Sequence, residues 1–187
     1  MYNFDHNPST ITMNIPLITS VLPKPSWLLT GLTCLALTTP SFAAESHCSK
    51  QETVEFSCST GKKIISVCAA KDLDTAKGYM QYRFGPKGAP EIQVPAERNH
   101  PNPLVQSGTL TFSGGGGAYL RFLKGDFRYV VYTATGKGWG EKSGVAVEEN
   151  GKLIANIKCK GPTQSSIGSA LFEQAGLPAD EKAFQLP

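Results

Sequence analysis

The sequence is poor in the residues and motifs that most catalytic, metal-binding and nucleic-acid-binding sites require. Its three histidines include no HxH or HExxH pair, and two of them, His47 and His100, are predicted to lie near a chain end and in a loop. The sequence has no CxxC pair, and no window concentrates lysine and arginine, so the net charge of +3 is too dispersed for nucleic-acid binding. We therefore expect no catalytic residues, no metal, no cofactor and no nucleic-acid partner, and a protein that is not an enzyme.

Long hydrophobic runs are also absent, because no run approaches the roughly 20 apolar residues that cross a bilayer. One short apolar run, residues 27–37, follows Lys24 and is succeeded by the small residues Ser41 and Ala43. A basic residue, a short apolar run and a small-x-small end are typical of a secretory signal. We expect residues 1–43 to form a signal peptide that is cleaved after Ala43.

The predicted leader is long for a signal peptide, and Met13 is an alternative start that would shorten it. Residues 44–187 then form a single β domain that is periplasmic or secreted, with no membrane span after cleavage. This length is sufficient for one hydrophobic core.

Cysteine usage agrees with export. Four cysteines lie beyond the leader, and an even number in an oxidising compartment predicts two disulfides. Cys58 ends the first predicted strand and Cys159 the last, and these ends can be neighbours in a closed or sandwiched sheet. This favours Cys58–Cys159 with Cys48–Cys68. The rival Cys58–Cys68 is disfavoured because a turn at Thr60-Gly61 would set Cys68 opposite Thr53.

Turn residues are abundant, with 19 glycines and 13 prolines, and they separate short segments rich in β-branched and aromatic residues. Regular short strands at this spacing predict an all-β fold, a single antiparallel β-sandwich or flattened barrel of about 8–9 strands. The predicted strands are residues 53–58, 63–70, 78–84, 91–94, 108–112, 118–123, 127–134, 144–148 and 152–159.

The pattern changes after Pro162. Residues 166–175 place Ile167, Leu171 and Phe172 at helical spacing, which predicts a short C-terminal helix. We expect residues 162–187 to form a helical or extended lid on the sheet.

Two glycine-rich stretches fail the nucleotide-binding patterns. Gly114–Gly117 is followed by no Lys-Ser/Thr pair and has strands on both sides, and Gly136–Gly140 does not match GxGxxG. Both stretches fit either a flexible hairpin loop or a backbone that approaches a partner closely. Trp139, inside the second stretch, is an apolar anchor of the kind that interfaces use.

Four segments follow one another along the chain: Phe56–Lys62, Ser113-Gly114 with Tyr119, Lys124-Gly125-Asp126 and Gly151–Cys159. Together they resemble the periplasmic lysozyme inhibitors of Gram-negative bacteria. The chain also resembles an uncharacterised group of exported proteobacterial proteins. The inhibitors carry an SGxxY loop, which here is longer by the extra glycines, and they push its Ser and Tyr against the catalytic carboxylates of the enzyme.

The resemblance implies a small exported β protein that binds an enzyme through this loop. The expected function is inhibition of a lysozyme or another peptidoglycan-degrading enzyme by an inserted glycine-rich hairpin. The alternative is a non-inhibitory structural or small-ligand-binding module of the envelope. The predicted partner-binding residues are Ser113, Gly114, Gly115, Gly116, Gly117, Tyr119, Lys124 and Trp139.

Overall fold

Two antiparallel five-stranded sheets and one short helix make up the part of the chain that the computed structural model describes, residues 45–187. The predicted signal peptide, residues 1–43, lies outside the described residues. The strands are β1 (Glu52–Ser59), β2 (Ile64–Ala70), β3 (Met80–Gly85), β4 (Ile92–Val94), β5 (Val105–Phe112), β6 (Gly115–Lys124), β7 (Phe127–Gly136), β8 (Gly140–Glu149), β9 (Lys152–Lys158) and β10 (Thr163–Ser165). Sheet I has the order β10-β1-β2-β3-β4 and sheet II the order β5-β6-β7-β8-β9. The predicted all-β sandwich is confirmed.

The main core lies between the two sheets, because each strand turns alternate apolar residues inward. Tyr82 of sheet I joins the layers, with its ring centroid 5.3 Å from that of Tyr129 and 6.0 Å from that of Phe122, both in sheet II. The other large buried side chains of this cluster include Phe56, Ile65, Val67, Met80, Leu120 and Val131. Both sheets therefore share a single hydrophobic core.

The chain after Pro162 returns to sheet I before it forms its helix. Thr163–Ser165 pairs with Phe56–Cys58 as β10, a strand that the sequence pattern did not predict. The helix α1 (Ser169–Gln174) lies inside the predicted helical segment and is shorter than it. Ile167 and Leu171 are buried in the core between the sheets. Between residues 45 and 187, no helix is both long enough and apolar enough to cross a membrane.

The outer face of sheet I is covered by the N-terminal segment, defined here as residues 45–50. The hydroxyl of Ser57 donates to the carbonyl of Glu45 at 2.6 Å, and the His47 N–H donates to Ser66 Oγ at 3.0 Å. Beneath this cover, all seven residues of β2 are buried. Sheet I is thus buried on both faces along this strand.

The outer face of sheet II is covered by the C-terminal tail, defined here as residues 178–187. The Ser107 N–H donates to the Pro178 carbonyl at 2.9 Å, and the Asp180 N–H donates to the Ser107 carbonyl at 2.8 Å. Further along the tail, the Phe184 ring lies 5.2 Å from Tyr119 and 5.6 Å from Tyr132 between centroids. A second, smaller hydrophobic cluster is therefore buried outside the sandwich.

Two disulfides link the cysteines in the predicted pairing, Cys48–Cys68 and Cys58–Cys159. The first ties the N-terminal segment to β2, and the second joins sheet I to the end of β9. One detail of the predicted register is wrong. Cys68 lies opposite Val54 rather than Thr53, because the turn and a β-bulge between Val54 and Phe56 shift the pairing.

Candidate functional site

The glycine-rich run is mostly strand and not loop, which corrects the sequence expectation. Only Ser113 and Gly114 form the turn between β5 and β6, with Gly114 at φ +73°. Gly115, Gly116 and Gly117 pair with both β5 and β7. The turn is therefore much shorter than the predicted flexible loop.

Close strand packing explains why β6 begins with glycines. A Cβ on Gly115 would lie 2.2 Å from the Thr135 carbonyl oxygen, and one on Gly117 would lie 2.3 Å from that of Thr133. Real Cβ contacts are never so short, so a side chain there would force β6 and β7 apart. These glycines have a structural role in the sheet.

Tyr119, one of the predicted partner-binding residues, is not available at the surface. Its side chain is only 2% exposed and lies under the C-terminal tail. Its hydroxyl donates to Asp180 Oδ2 at 3.0 Å and accepts from the Phe184 N–H at 3.3 Å. Its ring also lies over Gly108, where a Cβ would come within 2.4 Å of it.

Lys124 is separated from the predicted loop by the length of a strand. It is exposed at the last position of β6, whose ten residues span about 30 Å. Ser113 lies beyond the opposite end of that strand. The structure therefore does not bring Lys124 together with Ser113 and Gly114.

Trp139 does lie beside Ser113 and Gly114, because two hairpin turns are adjacent at one end of sheet II. We call this surface the hairpin tip; it comprises residues 112–115 and 136–140. The Lys137 N–H donates to the Gly114 carbonyl at 2.9 Å and joins the two turns. The tip thus unites Ser113, Gly114, Gly115 and Trp139 from the predicted set.

The Trp139 ring is fixed in place although much of it faces solvent. It is 38% exposed, and it packs over Gly136, where a Cβ would come within 2.1 Å of the ring. The Phe112 ring supports it at 5.5 Å between centroids, and Lys142 Nζ lies 5.0 Å from its centroid. The result is an ordered, exposed aromatic surface with little side-chain entropy left to lose on binding.

The hairpin tip and its surroundings carry positive charge. Lys137 and Lys142 are exposed, and neither forms an ion pair with another residue of the described chain. Glu141 is the acidic residue beside them. A basic rim around an exposed tryptophan favours a partner surface that offers carboxylates.

Sequence reasoning missed a polar cleft of about 250 Å³ where the C-terminal tail crosses sheet II. Arg121, 5% exposed, lies at its base. Its Nε donates to Asp180 Oδ2 at 2.6 Å, its Nη1 donates to Glu148, and its Nη2 donates to the Lys182 carbonyl at 3.3 Å. Every nitrogen of this guanidinium is engaged within the protein, so the cluster holds the tail in place.

A second buried ion pair, also missed, lies on the outer face of sheet I. Arg83 Nη2 lies 2.6 Å from Glu52 Oε1, and the Glu52 side chain has no exposed surface. Burial opposes ionisation of Glu52, but hydrogen bonds from Arg83, the Ser49 N–H and the Tyr79 hydroxyl lower its pKa to about 2. This pair anchors the N-terminal segment, since Arg83 also donates to the His47 carbonyl at 3.0 Å.

Both histidines in the described part of the chain lie within hydrogen-bonding distance of a backbone carbonyl. His47 Nε2 lies 3.1 Å from the Gly85 carbonyl oxygen and His100 Nε2 lies 3.0 Å from that of Asp74. In the described part of the chain, no three His, Cys, Asp or Glu side chains are grouped so as to hold a metal ion. The hairpin tip is therefore the strongest candidate surface.

In comparisons with known proteins, no family model matches the chain, and no match is found among curated proteins or solved structures.

Proposed function

We propose that this protein is an exported binding protein whose hairpin tip enters and blocks the cleft of a lysozyme or another peptidoglycan-cleaving enzyme. The observation that carries the proposal is Trp139, a large aromatic side chain that is exposed and yet held rigidly over Gly136 by Phe112. Tryptophan is, with tyrosine and arginine, one of the residue types enriched among interface hot spots.

The shape of the tip suits a cleft. Both turns are short, two residues between Phe112 and Gly115 and three between Gly136 and Gly140. Gly114 and Gly138 are exposed and carry no side chains, so a partner can approach the backbone closely there. Short turns with exposed glycines favour entry into a groove built for a polysaccharide.

The chemistry of the tip suits carboxylates. Ser113 supplies a hydroxyl donor, and the exposed Lys137 and Lys142 supply charged donors, which are the groups that bind ionised carboxylates most strongly. Tyr119 does not contribute, because its hydroxyl is already bonded beneath the tail. The proposed binding residues are therefore Ser113, Gly114, Lys137, Trp139 and Lys142.

The cysteines support the exported part of the proposal. Two disulfides, Cys48–Cys68 and Cys58–Cys159, are typical of proteins that fold in an oxidising compartment. The signal-like pattern of residues 1–43 leads to the same compartment.

The test uses the mature chain, residues 44–187, in a capture and inhibition assay against a panel of lysozymes and peptidoglycan hydrolases. We expect stoichiometric inhibition of at least one enzyme. Trp139→Ala should weaken its binding by about tenfold or more, and Ser113→Ala by less. Lys124→Ala, at the far end of β6, is the matched control and should leave affinity unchanged.

Two results would contradict the proposal. One is the absence of inhibition and capture across the panel, which would favour a structural or ligand-binding module of the envelope. The other is an affinity that Trp139→Ala leaves unchanged while the variant melts like the wild type, which would move the contact away from the hairpin tip.

A further inference from the structure

The four edge strands of the two sheets are protected very unequally. β4 and β10 have three residues each, too short to pair with much of another chain. β5 is partly covered, because Ser107 exchanges two backbone hydrogen bonds with the C-terminal tail. β9 has seven residues, and no described residue forms a backbone hydrogen bond along its outer side. It is the longest open edge in the described part of the molecule.

The register of β8 and β9 identifies which backbone groups face outward. The Cys159 N–H donates to the Ser143 carbonyl, and Ile157 pairs with Val145 two residues earlier. Because hydrogen-bonding direction alternates along a strand, the N–H and C=O groups of Asn156 and Lys158 point away from β8. A strand added at this edge would bond to those groups.

The side chains of β9 give the edge an apolar surface. Leu153 and Ile154 are 53% and 54% exposed, the highest values among the large hydrophobic residues that the structure describes as exposed. They lie side by side at a β-bulge in the β8–β9 pair. An edge strand normally carries polar residues at such positions, so this apolar pair is a mark of an interaction surface.

Lysines set the charge of the edge. Lys152 begins β9 and lies opposite Glu149 of β8. Lys158 ends β9 and lines a pocket of about 100 Å³ with Lys142 and Glu141. Lys160 follows two positions later and is exposed. The end of the edge near residue 158 therefore has an excess of positive charge.

This charge argues against a second copy of the chain as the occupant. Symmetric antiparallel pairing about Asn156 would set Lys158 opposite Ile154 and bring Lys152 of one copy near Lys160 of the other, whose own N–H is already bonded to the Ser59 carbonyl. Each copy would bring its lysines onto the same seam, and like charges across strands are destabilising. An acidic strand would satisfy the same backbone groups and neutralise the lysines.

We propose that β9 is a docking edge for an extended acidic segment of a partner protein, which adds to sheet II as a further strand. Backbone groups of Asn156 and Lys158 supply the hydrogen bonds, Leu153 and Ile154 contact apolar side chains of the segment, and Lys158 and Lys160 bind its carboxylates. β-Strand addition of this kind derives affinity from the main chain and specificity from the side chains. The site is separate from the hairpin tip and does not depend on its function.

The test is a titration of residues 44–187 with a short capped peptide of alternating valine and threonine with glutamates at both ends. A matched peptide carries lysines in place of the glutamates. We expect the acidic peptide to bind about tenfold or more tightly than the basic one at low salt. We also expect slowed hydrogen exchange at the amides of Asn156 and Lys158, and little change at Ala155 and Ile157, which already bond to β8.

Variants at the edge separate strand addition from general charge attraction. Asn156→Pro removes the outward N–H, while Asn156→Ala retains it, and both lose the hydrogen bond from the Tyr132 hydroxyl. The proline variant should lose binding and the alanine variant should keep it. The double variant Lys158→Glu, Lys160→Glu should reverse the preference between the two peptides. This second test does not depend on whether Asn156→Pro folds.

Three results would overturn the proposal. They are equal binding of the two peptides, binding without protection of the Asn156 and Lys158 amides, and concentration-dependent dimerisation of the free chain that Lys158→Glu or Asn156→Pro abolishes. The last result would identify a second copy as the occupant of β9.

Discussion

Tyr119 and Asp180, 61 residues apart in the sequence, are joined by a hydrogen bond of 3.0 Å from the phenol to the carboxylate. The same carboxylate oxygen accepts from Arg121 Nε at 2.6 Å. Burial raises the pKa of the Tyr119 hydroxyl, and the neighbouring Asp180 raises it further. The C-terminal tail is therefore bound to sheet II by a buried polar cluster as well as by the Phe184 ring, and it belongs to the folded domain.

The packing of the tail predicts a large cost for Phe184→Ala. Phe184 is 6% exposed and contacts the rings of Tyr119 and Tyr132, so truncation should lower the free energy of unfolding by about 3 kcal/mol. Urea denaturation of the mature chain measures this. Gln185→Ala, at the exposed neighbouring position, is the control and should be near neutral. Equal stability of the two variants would mean that the tail does not pack on sheet II in solution.

The close approach of β6 and β7 predicts that Gly117→Ala is strongly destabilising. A Cβ there would lie 2.3 Å from the Thr133 carbonyl oxygen, so the strands must separate, at a cost of about 2 kcal/mol or more. Gly168→Ala is the control, because a Cβ at that position has open space around it. Thermal melts of both variants test the prediction, and a wild-type melting temperature for Gly117→Ala would refute the structural role of this glycine.

The two disulfides should differ in their contribution to stability. Cys58 and Cys159 are 101 positions apart, and Cys48 and Cys68 are 20 apart. In the chain-entropy model, removal of the longer link by paired Cys→Ala substitution costs about 4–5 kcal/mol, and removal of the shorter one about 3 kcal/mol. Guanidinium denaturation of the two double variants gives the comparison. A larger loss for the Cys48–Cys68 variant would contradict the expectation.

The buried Glu52 predicts acid sensitivity. Its pKa is about 2 in the folded protein and near 4.5 in the unfolded chain. Because its pKa is lowered, ionised Glu52 stabilises the fold fully above pH 4.5. This contribution of about 3 kcal/mol to the free energy of unfolding is lost as the pH falls towards 2. Glu52→Gln should therefore reduce stability at pH 7 and flatten its decline between pH 4.5 and pH 2. Glu173→Gln, exposed on α1, is the control, and the same flattening in this variant would assign the effect elsewhere.

Most strands around the core could be predicted because apolar and polar residues alternate along them. Segments such as residues 53–58 and 127–134 show the period of a strand, and the positions of Cys58 and Cys159 at strand ends indicated the longer disulfide. The glycine run at 115–117 has no side chains to alternate, so its strand resembled a loop. β10 is too short to display any period.

A lid of residues 162–187 is expected, but the sequence does not indicate which face it covers or which side chains hold it. Nothing near Asp180 in the sequence indicates that its partner is Arg121, 59 residues earlier. Tyr119 and Tyr132 alternate with the core residues Leu120 and Val131, so both faces of β6 and β7 contain large apolar side chains. Only the three-dimensional path of the tail decides which of these side chains remain at the surface, and it leaves Trp139 rather than Tyr119.

The pairing of β1 with β10 means that sheet I cannot form all its strand pairs until late in chain synthesis. Phe56 lies opposite Ser165, so one edge of sheet I is supplied by residues that leave the ribosome more than a hundred positions later. The first strand therefore remains without this neighbour throughout most of chain synthesis, and non-local pairing of this kind also slows folding. Sheet I therefore gains its last strand only when nearly the whole chain, up to Ser165, has been synthesised.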